Sequence, residues 1–146
     1  MIRKATIQDL DLIVPLFDDY RVFYNKESDI VGANDFIQQR LEHQESTIFL
    51  AFNEENQAVG FIQLYPLFSS TNMQRLWLLN DLYIEADARR KGFAKALLNQ
   101  AKQFSYETGA RGFFLETGAD NEEGNALYPA VGMTLNDDHN FYYWNT

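Results

Sequence analysis

The sequence has no cysteine and only two histidines, His43 and His139, among its 146 residues. Without cysteine the chain forms no disulfide, no thiolate metal site and no covalent thiol intermediate. The two histidines lie far apart in sequence, so the spacing of a zinc hydrolase is absent and a Ser/His/Asp triad has just two candidates for its base. We therefore predict no metal site, and the composition argues against hydrolase and metalloenzyme chemistry.

Positive charge and long apolar runs are also scarce. Twelve Lys and Arg stand against 21 Asp and Glu, which gives a formal net charge of −9. This balance lacks the positive field of a nucleic-acid-binding protein, although a local patch could still contact a phosphate. No stretch reaches the roughly 18 apolar residues of a membrane span, and the first residues do not resemble a secretory leader. We predict no nucleic-acid or membrane partner, and a cytoplasmic location.

The chain does contain enough apolar material for one packed core. Hydrophobic residues make up 46% of it and aromatic residues 15%, and a chain of about 150 residues buries roughly 70% of its unfolded surface. No internal repeat, low-complexity tract or linker divides it, so we predict a single domain over residues 1–146.

Hydrophobic periodicity predicts strands alternating with helices. A helix follows a Thr6/Asp9 capping pair and ends near Tyr24, and a second helix is capped by Asn34. The predicted strands cover residues 2–5, 47–53, 58–68, 75–84, 111–117, 133–137 and 141–144, and the later helices cover residues 92–108 and 121–131. Hairpins beside crossovers indicate an α/β fold with a mixed sheet.

Residues 89–94 (RRKGFA) follow the third long strand and open the longest helix. A helix N-terminus presents unpaired N–H groups and partial positive charge, so three cations and a glycine at this junction suit an anion such as a pyrophosphate. Gly92 lets the anion approach without a Cβ in the way. The loop is neither a Walker A motif nor a dinucleotide-binding motif. A solvated loop with spare charges is the alternative explanation.

Two motifs resemble those of the GNAT acetyltransferase superfamily, which transfers an acyl group from acyl-coenzyme A to an amine. The family loop Gln/Arg-x-x-Gly-x-Gly/Ala is matched by residues 89–94, and the second motif by Asn121, Leu127-Tyr128 and Gly132-Met133. The order of elements is similar over essentially the whole chain. The resemblance implies a mixed, mostly antiparallel central sheet flanked by helices.

The resemblance also implies that acetyl-CoA (coenzyme A) is the acyl donor. Main-chain groups of Leu82 and Ile84 would pair with the pantetheine arm like an added strand, N–H groups of residues 90–95 would hold the pyrophosphate, and Arg89 would neutralise it. Asn121 would meet the pantetheine arm or the adjacent part of the cofactor. The residues assigned to acetyl-CoA are Leu82, Tyr83, Ile84, Arg89, Arg90, Lys91, Gly92, Phe93, Ala94, Lys95, Asn121 and Tyr128.

The resemblance assigns Tyr128 as the general acid that protonates the departing thiolate, with the Leu82 amide facing the oxyanion. Many relatives carry a Glu where this chain has Asn80, which cannot accept a proton at neutral pH. Asp81 can replace that carboxylate only if the strand is bulged or splayed there, because adjacent strand residues point to opposite faces. Asn80 could still act in catalysis by holding a water through which the proton leaves. Pro129 should distort the turn that carries Tyr128. The alternative to the catalytic role is that Tyr128 is one more aromatic residue of the core.

Within the superfamily, residues 61–66 and 79–84 look most like the branch of polyamine- and histone-directed amine acetyltransferases, in which the stretch matching residues 20–24 borders the acceptor pocket. The predicted substrate-binding residues are Tyr20, Tyr24, Tyr65 and Asp81.

The predicted acceptor is a primary amine: a polyamine, an amino acid, a small drug or a protein lysine. Because no cysteine can carry the acetyl group, transfer should be direct within a ternary complex. The aromatic run at residues 141–144 (FYYW) suggests a subunit contact, and so a homodimer. A non-catalytic acyl-CoA sensor, and a phosphate-binding domain unrelated to coenzyme A, are the rival explanations.

Overall fold

The computed structural model describes all 146 residues, which form two compact units, Met1–Glu116 and Thr117–Thr146. The first unit contains the sheet and three α-helices, and the second contains one α-helix. The single domain over residues 1–146 stays a prediction. No helix is both long and apolar enough to cross a membrane.

Five strands form one sheet in the order β1-β2-β3-β4-β5. They are β1 (Ile2–Lys4), β2 (Thr47–Phe52), β3 (Ala58–Ser69), β4 (Gln74–Ile84) and β5 (Phe113–Phe114). The pairs β1–β2, β2–β3 and β3–β4 are antiparallel, and the pair β4–β5 is parallel. The predicted α/β class with a mixed, mostly antiparallel sheet is confirmed.

Helices of the first unit cover both faces of this sheet. On one face α1 (Leu10–Phe23) and α2 (Ile30–Glu42) bury their apolar sides against β2 and β3. That core contains Ala5, Ile13, Val14, Leu16, Phe17, Ala33, Ile37, Ile48, Leu50, Phe52 and Phe61. On the other face α3 (Phe93–Glu107) places Phe104 against the rings of Phe49 and Trp77. Successive side chains along β2 point to opposite faces of the sheet, so Phe49 packs against α3 while Ile48 and Leu50 pack on the α1 and α2 side.

The second helix begins four residues before the predicted cap at Asn34. Its N-cap is Asp29, whose carboxylate accepts the N–H of Gly32 at 2.9 Å. A Cβ on Gly32 would lie 2.3 Å from that carboxylate, so glycine lets the cap close over the first turn. The predicted cap at Asn34 was wrong because Asp29 caps this helix and Gly32 lies in its first turn. The Thr6/Asp9 capping box before α1 is confirmed.

The last predicted strands are not formed. Residues 133–137 and 141–144 have no regular secondary structure, and the strand predicted over residues 111–117 is reduced to Phe113–Phe114. Aromatic and β-branched composition favours a strand, but a strand also needs a partner for its main-chain groups. The helix of the second unit, α4 (Glu122–Ala130), lies within the predicted range.

Candidate active site

A β-bulge at Asn80 divides β4 into two halves. Gln63 of β3 faces Asp81, and the next residue, Leu64, faces Leu79, so Asn80 has no counterpart on β3. A bulge of this kind reverses which face the following side chains occupy. Trp77 therefore packs on Phe104 of α3, whereas Asp81 lies on the opposite face, hydrogen-bonded to Gln63. The condition under which Asp81 can take the place of a carboxylate at position 80 is met.

The bulge also reverses the direction of the main-chain groups. Before it, the N–H of Trp77 donates to Gly112 on the β5 side at 3.0 Å, and after it, the N–H of Glu85 donates to Val59 of β3 at 2.9 Å. By alternation, the N–H and C=O of Leu82 point away from β3. Because β5 pairs only with residues 77 and 78, no strand occupies that edge beside Leu82. An extended, amide-bearing ligand can pair there.

Asp81 is a buried carboxylate held by three neighbouring side chains. It is only 3% exposed, and it accepts hydrogen bonds from the Gln63 amide at 2.5 Å and the Asn80 amide at 3.0 Å. Burial raises the pKa of Asp81 above its ordinary value, and hydrogen bonds from Gln63, Asn80 and Tyr20 partly offset that rise. A carboxylate with a raised pKa is a better proton acceptor than an exposed one once it is ionised.

The side chain of Gln63 is oriented by Ser46. The Ser46 hydroxyl donates to Gln63 Oε1 at 2.8 Å, which turns the amide N–H₂ group of Gln63 towards Asp81. Gln63 is fully buried, so both of its polar ends need these partners. Sequence analysis missed both residues. A polar side chain in the middle of the apolar run of β3 was the available signal.

Aromatic side chains of α1 lie beside this carboxylate. The Tyr20 ring stacks edge-on against Tyr24 at 5.0 Å, Phe61 at 6.0 Å and Tyr83 at 6.4 Å between centroids. The Tyr20 hydroxyl also lies 3.3 Å from the carbonyl of Asn80, so its single proton is shared between that carbonyl and Asp81. The structure thus brings the predicted acceptor-pocket residues Tyr20 and Tyr24 to the Asp81 end of β4.

Tyr65 belongs to the same face of the sheet. Its pKa is raised above the ordinary range, first by burial and then by the negative charge of Asp81. Both effects keep the phenol protonated, so its hydroxyl remains a hydrogen-bond donor near Asp81.

The loop before α3 presents main-chain N–H groups. The N-cap of α3, Gly92, has a left-handed backbone (φ +87°) and makes no side-chain hydrogen bond. The first main-chain hydrogen bond of the helix runs from the N–H of Ala96 to the carbonyl of Gly92, at 3.0 Å. The N–H groups of Phe93, Ala94 and Lys95 therefore have no acceptor within the helix. A Cβ on Gly92 would meet no atom within 4 Å, so open space adjoins the loop. These observations fit a pyrophosphate, with Lys91 and Lys95 exposed beside it.

Arg89 already has partners within the first unit. Its Nε donates to the carbonyl of Ile84 at 3.0 Å, and its guanidinium carbon lies 5.2 Å from the Phe23 ring centroid and 5.8 Å from that of Tyr83. These contacts join the end of β4 to α1. Its proposed contact with the pyrophosphate stays a prediction, as do those of Arg90 and Lys91.

In the second unit, Asn121 caps α4. Its Oδ1 accepts the N–H of Gly124 at 3.1 Å, and its Nδ2 donates to the Thr117 hydroxyl at 2.9 Å. A Cβ on Gly124 would lie 2.5 Å from Asn121 Nδ2 and 3.2 Å from Tyr128 Cε2. Glycine at this position therefore lets the Tyr128 ring lie against the first turn of the helix, a role that sequence analysis missed.

Pro129 does not end α4. The helix continues to Ala130, and the carbonyl of Tyr128 accepts the N–H of Met133 at 3.0 Å. The aim of the Tyr128 hydroxyl stays a prediction.

An open strand edge next to a helix N-terminus that suits a phosphate, with a buried carboxylate on the same strand, defines an acyl-CoA-dependent acyltransferase. The chain belongs to the Acetyltransferase (GNAT) family, whose profile matches residues 13–133. Members of this family use acetyl-CoA as the acetyl donor.

Two curated relatives and one solved structure agree with this assignment. The uncharacterized N-acetyltransferase YhfO of Bacillus subtilis is 43% identical over 90% of this chain and 87% of its own. A protein of Haemophilus influenzae, described as a probable acetyltransferase, is 32% identical over 72% of each chain. A crystal structure, also described as that of a probable acetyltransferase, has a TM-score of 0.95 and 39% identity, covering 100% of this chain and 97% of the other.

Proposed function

We propose that the protein transfers an acetyl group from acetyl-CoA directly to a primary amine, with both substrates bound together. The β-bulge at Asn80 carries this proposal, because it points the Asp81 carboxylate into the aromatic side of the sheet while it turns the main chain of Leu82 to the open edge. The absence of cysteine excludes the usual thiol acyl-enzyme, which supports a ternary complex.

Asp81 accepts the proton that the acceptor amine must lose before attack, either directly or through one water. Gln63 and Asn80 hold the carboxylate, and Tyr20 and Tyr65 position the amine. When bound, acetyl-CoA supplies the activated thioester. The Leu82 N–H stabilises negative charge on the acetyl oxygen, and the N–H groups of residues 90–95 hold the pyrophosphate.

Tyr128 is proposed as the acid for the departing thiolate, on the strength of the sequence motif. A phenol of pKa about 10 donates weakly to a thiolate whose conjugate acid has a pKa of about 8.5, so a strengthening hydrogen bond does much of the work. Tyr128→Phe keeps the ring packed on Gly124 and should lower kcat about 10²-fold with little change in coenzyme A affinity. His139→Ala, which lies outside both family motifs, serves as the control.

We further propose that the acceptor is cationic, as in the polyamine- and histone-directed branch. Burial raises the pKa of Glu85, and the negative charges of Asp19 and Asp87 raise it further, so two other carboxylates act on Glu85. Asp19 also acts on Tyr83, at the edge of the aromatic cluster. Carboxylates beside aromatic faces favour an ammonium group.

The test is release of free coenzyme A thiol, measured against a panel of amines that pairs each diamine with a monoamine of equal length. Turnover with intersecting double-reciprocal lines and a preference for diamines is the expected result. Parallel lines with a trapped acetylated protein would refute direct transfer. Coenzyme A binding without turnover of any amine would make the protein an acyl-CoA sensor.

We also propose that the protein is a homodimer and that it is located in the cytoplasm. The large side chains of residues 141–144 support the dimer, since Tyr142 is 90% and Trp144 85% exposed. Light scattering should give twice the mass of one chain, and Tyr142→Ser with Trp144→Ser should give the mass of a single chain.

A further inference from the structure

A cavity of about 580 Å³ opens at the end of the sheet where β4 begins, and the proposed acetyl-transfer chemistry does not use it. Its wall includes Lys4, Thr47, Pro66, Arg75, Trp77 and Phe104. Trp77 comes before the bulge on β4 and packs against α3, whereas Asp81 comes after it and lies on the α1 side.

The cavity is positively charged in a chain of net charge −9. Lys4 and Arg75 are among its lining residues, and no Asp or Glu is. The ion pairs of the protein use other cations, namely Arg3, Arg21, Arg40 and His43. Two cations that share a cavity without a carboxylate repel each other, and an anion between them would relieve that repulsion.

Both cations rest on aromatic rings. Lys4 Nζ lies 5.6 Å from the Phe104 centroid, and the Arg75 guanidinium carbon lies 5.2 Å from that of Trp77 and 5.0 Å from that of Phe68. A guanidinium stacked on a ring keeps its N–H groups at the edge of its plane, where they can donate to an anion.

The aromatic wall is fixed in place. Trp77 Nε1 donates to the Thr108 hydroxyl at 2.9 Å, and that hydroxyl donates to the carbonyl of Phe104 at 2.8 Å. Carbonyls at the end of α3 would repel an anion, but those of Phe104 and Ser105 accept the N–H groups of Thr108 and Ala110. A site that is already ordered loses little conformational entropy on binding.

We propose that this cavity is a second ligand site, which binds a small organic anion carrying a planar apolar group. Lys4 and Arg75 hold the anionic group, and the planar group lies along the apolar part of the wall, which includes Pro66 and Phe104. The cavity shares one lining residue, Ser46, with the hydrogen bonds around Asp81, but the proposal needs neither substrate of the acetyl transfer.

The probe is phenyl phosphate, followed by the fluorescence of Trp77 in a Trp144→Phe background, where Trp77 is the single tryptophan. We expect a saturable change in emission that weakens as salt concentration rises. Lys4→Gln and Arg75→Gln should each weaken binding about fivefold, which corresponds to the upper end of an exposed charge pair. Lys26→Gln makes the same change in net charge away from the cavity and should leave the affinity unchanged.

Three results would overturn the proposal: no saturation at millimolar phenyl phosphate, equal affinity in both cavity variants and the control, or displacement of the probe by coenzyme A. If inorganic phosphate bound as tightly as phenyl phosphate, the proposed contact with a planar apolar group would be refuted. Arg75→Lys keeps the charge but loses the planar donors, so it should weaken binding less than Arg75→Gln does. Thermal melting of each variant separates lost binding from lost folding.

Discussion

Replacement of Gln63 by methionine should move the acid limb of the rate profile upward in pH. Methionine fills a similar volume but cannot donate the hydrogen bond that Asp81 accepts at 2.5 Å. A hydrogen bond to a charged group contributes about 1.5–3 kcal/mol, and about 1.4 kcal/mol corresponds to one pH unit. We therefore expect the pKa of Asp81 in Gln63→Met to rise by about one to two pH units.

The assay is kcat against pH at saturating acetyl-CoA and amine, since kcat reports groups in the substrate complex. Ser46→Ala is the comparison variant: it keeps the donor to Asp81 but removes the bond that orients it, so the acid limb should move less than in Gln63→Met. Asp81→Asn should abolish the acid limb and lower kcat about 10²- to 10⁴-fold. A folded Gln63→Met protein with an unchanged acid limb would show that Asp81 is not the titrating base.

Three other perturbations test the remaining parts of the structure. Gly92→Asn should weaken coenzyme A binding, measured by calorimetry, at least about tenfold, since Asn tolerates positive φ but adds a side chain. Gly109→Asn is the control and should not weaken binding. Gly109 lies at the other end of α3, with φ +65° and equally open space around it. Gly124→Ala should lower kcat by displacing Tyr128 or Asn121, whereas Ala126→Ser on the exposed side of α4 should have no effect. The hydrogen bond from Arg3 lowers the pKa of Asp9 to about 2, so this group stabilises the fold above pH about 4 and the effect is lost as pH falls towards 2. Because Arg3 is partly exposed, Asp9→Asn should cost only about 1 kcal/mol in urea unfolding at pH 7, and the difference should vanish near pH 2.

Much of the fold could be predicted because local signals and the sheet agree. The strands over residues 47–53, 58–68 and 75–84 and the helix over residues 92–108 were each placed to within a residue or two. Alternation, apolar periodicity and the capping pair at Thr6 and Asp9 are properties of short segments, which a sequence displays directly. The strands predicted over residues 133–137 and 141–144 failed because strand formation depends on a partner edge, which no short segment contains.

The parts of the candidate site that belong to sequence motifs could be predicted, whereas the parts that depend on strand register could not. Residues 89–94 were found because their glycine and cations are adjacent in sequence. Ser46, Gln63 and Asp81 come from three segments, and they meet only because β3 pairs with β2 on one side and with β4 on the other. The bulge itself has no sequence signal that distinguishes Asn80 from any other exposed strand residue.

The extra residue at Asn80 bears on how relatives of this protein should be aligned. In an alignment, a homologue with Glu in the column of Asn80 and an apolar residue in the column of Asp81 differs from this chain in both columns, as if only the homologue had a carboxylate to act as the base. If its bulge falls one residue earlier, its carboxylate occupies the same place in space as Asp81. In this family, therefore, a catalytic residue is better compared by the face of the strand it occupies than by its column, and loss of activity should not be inferred from the column alone.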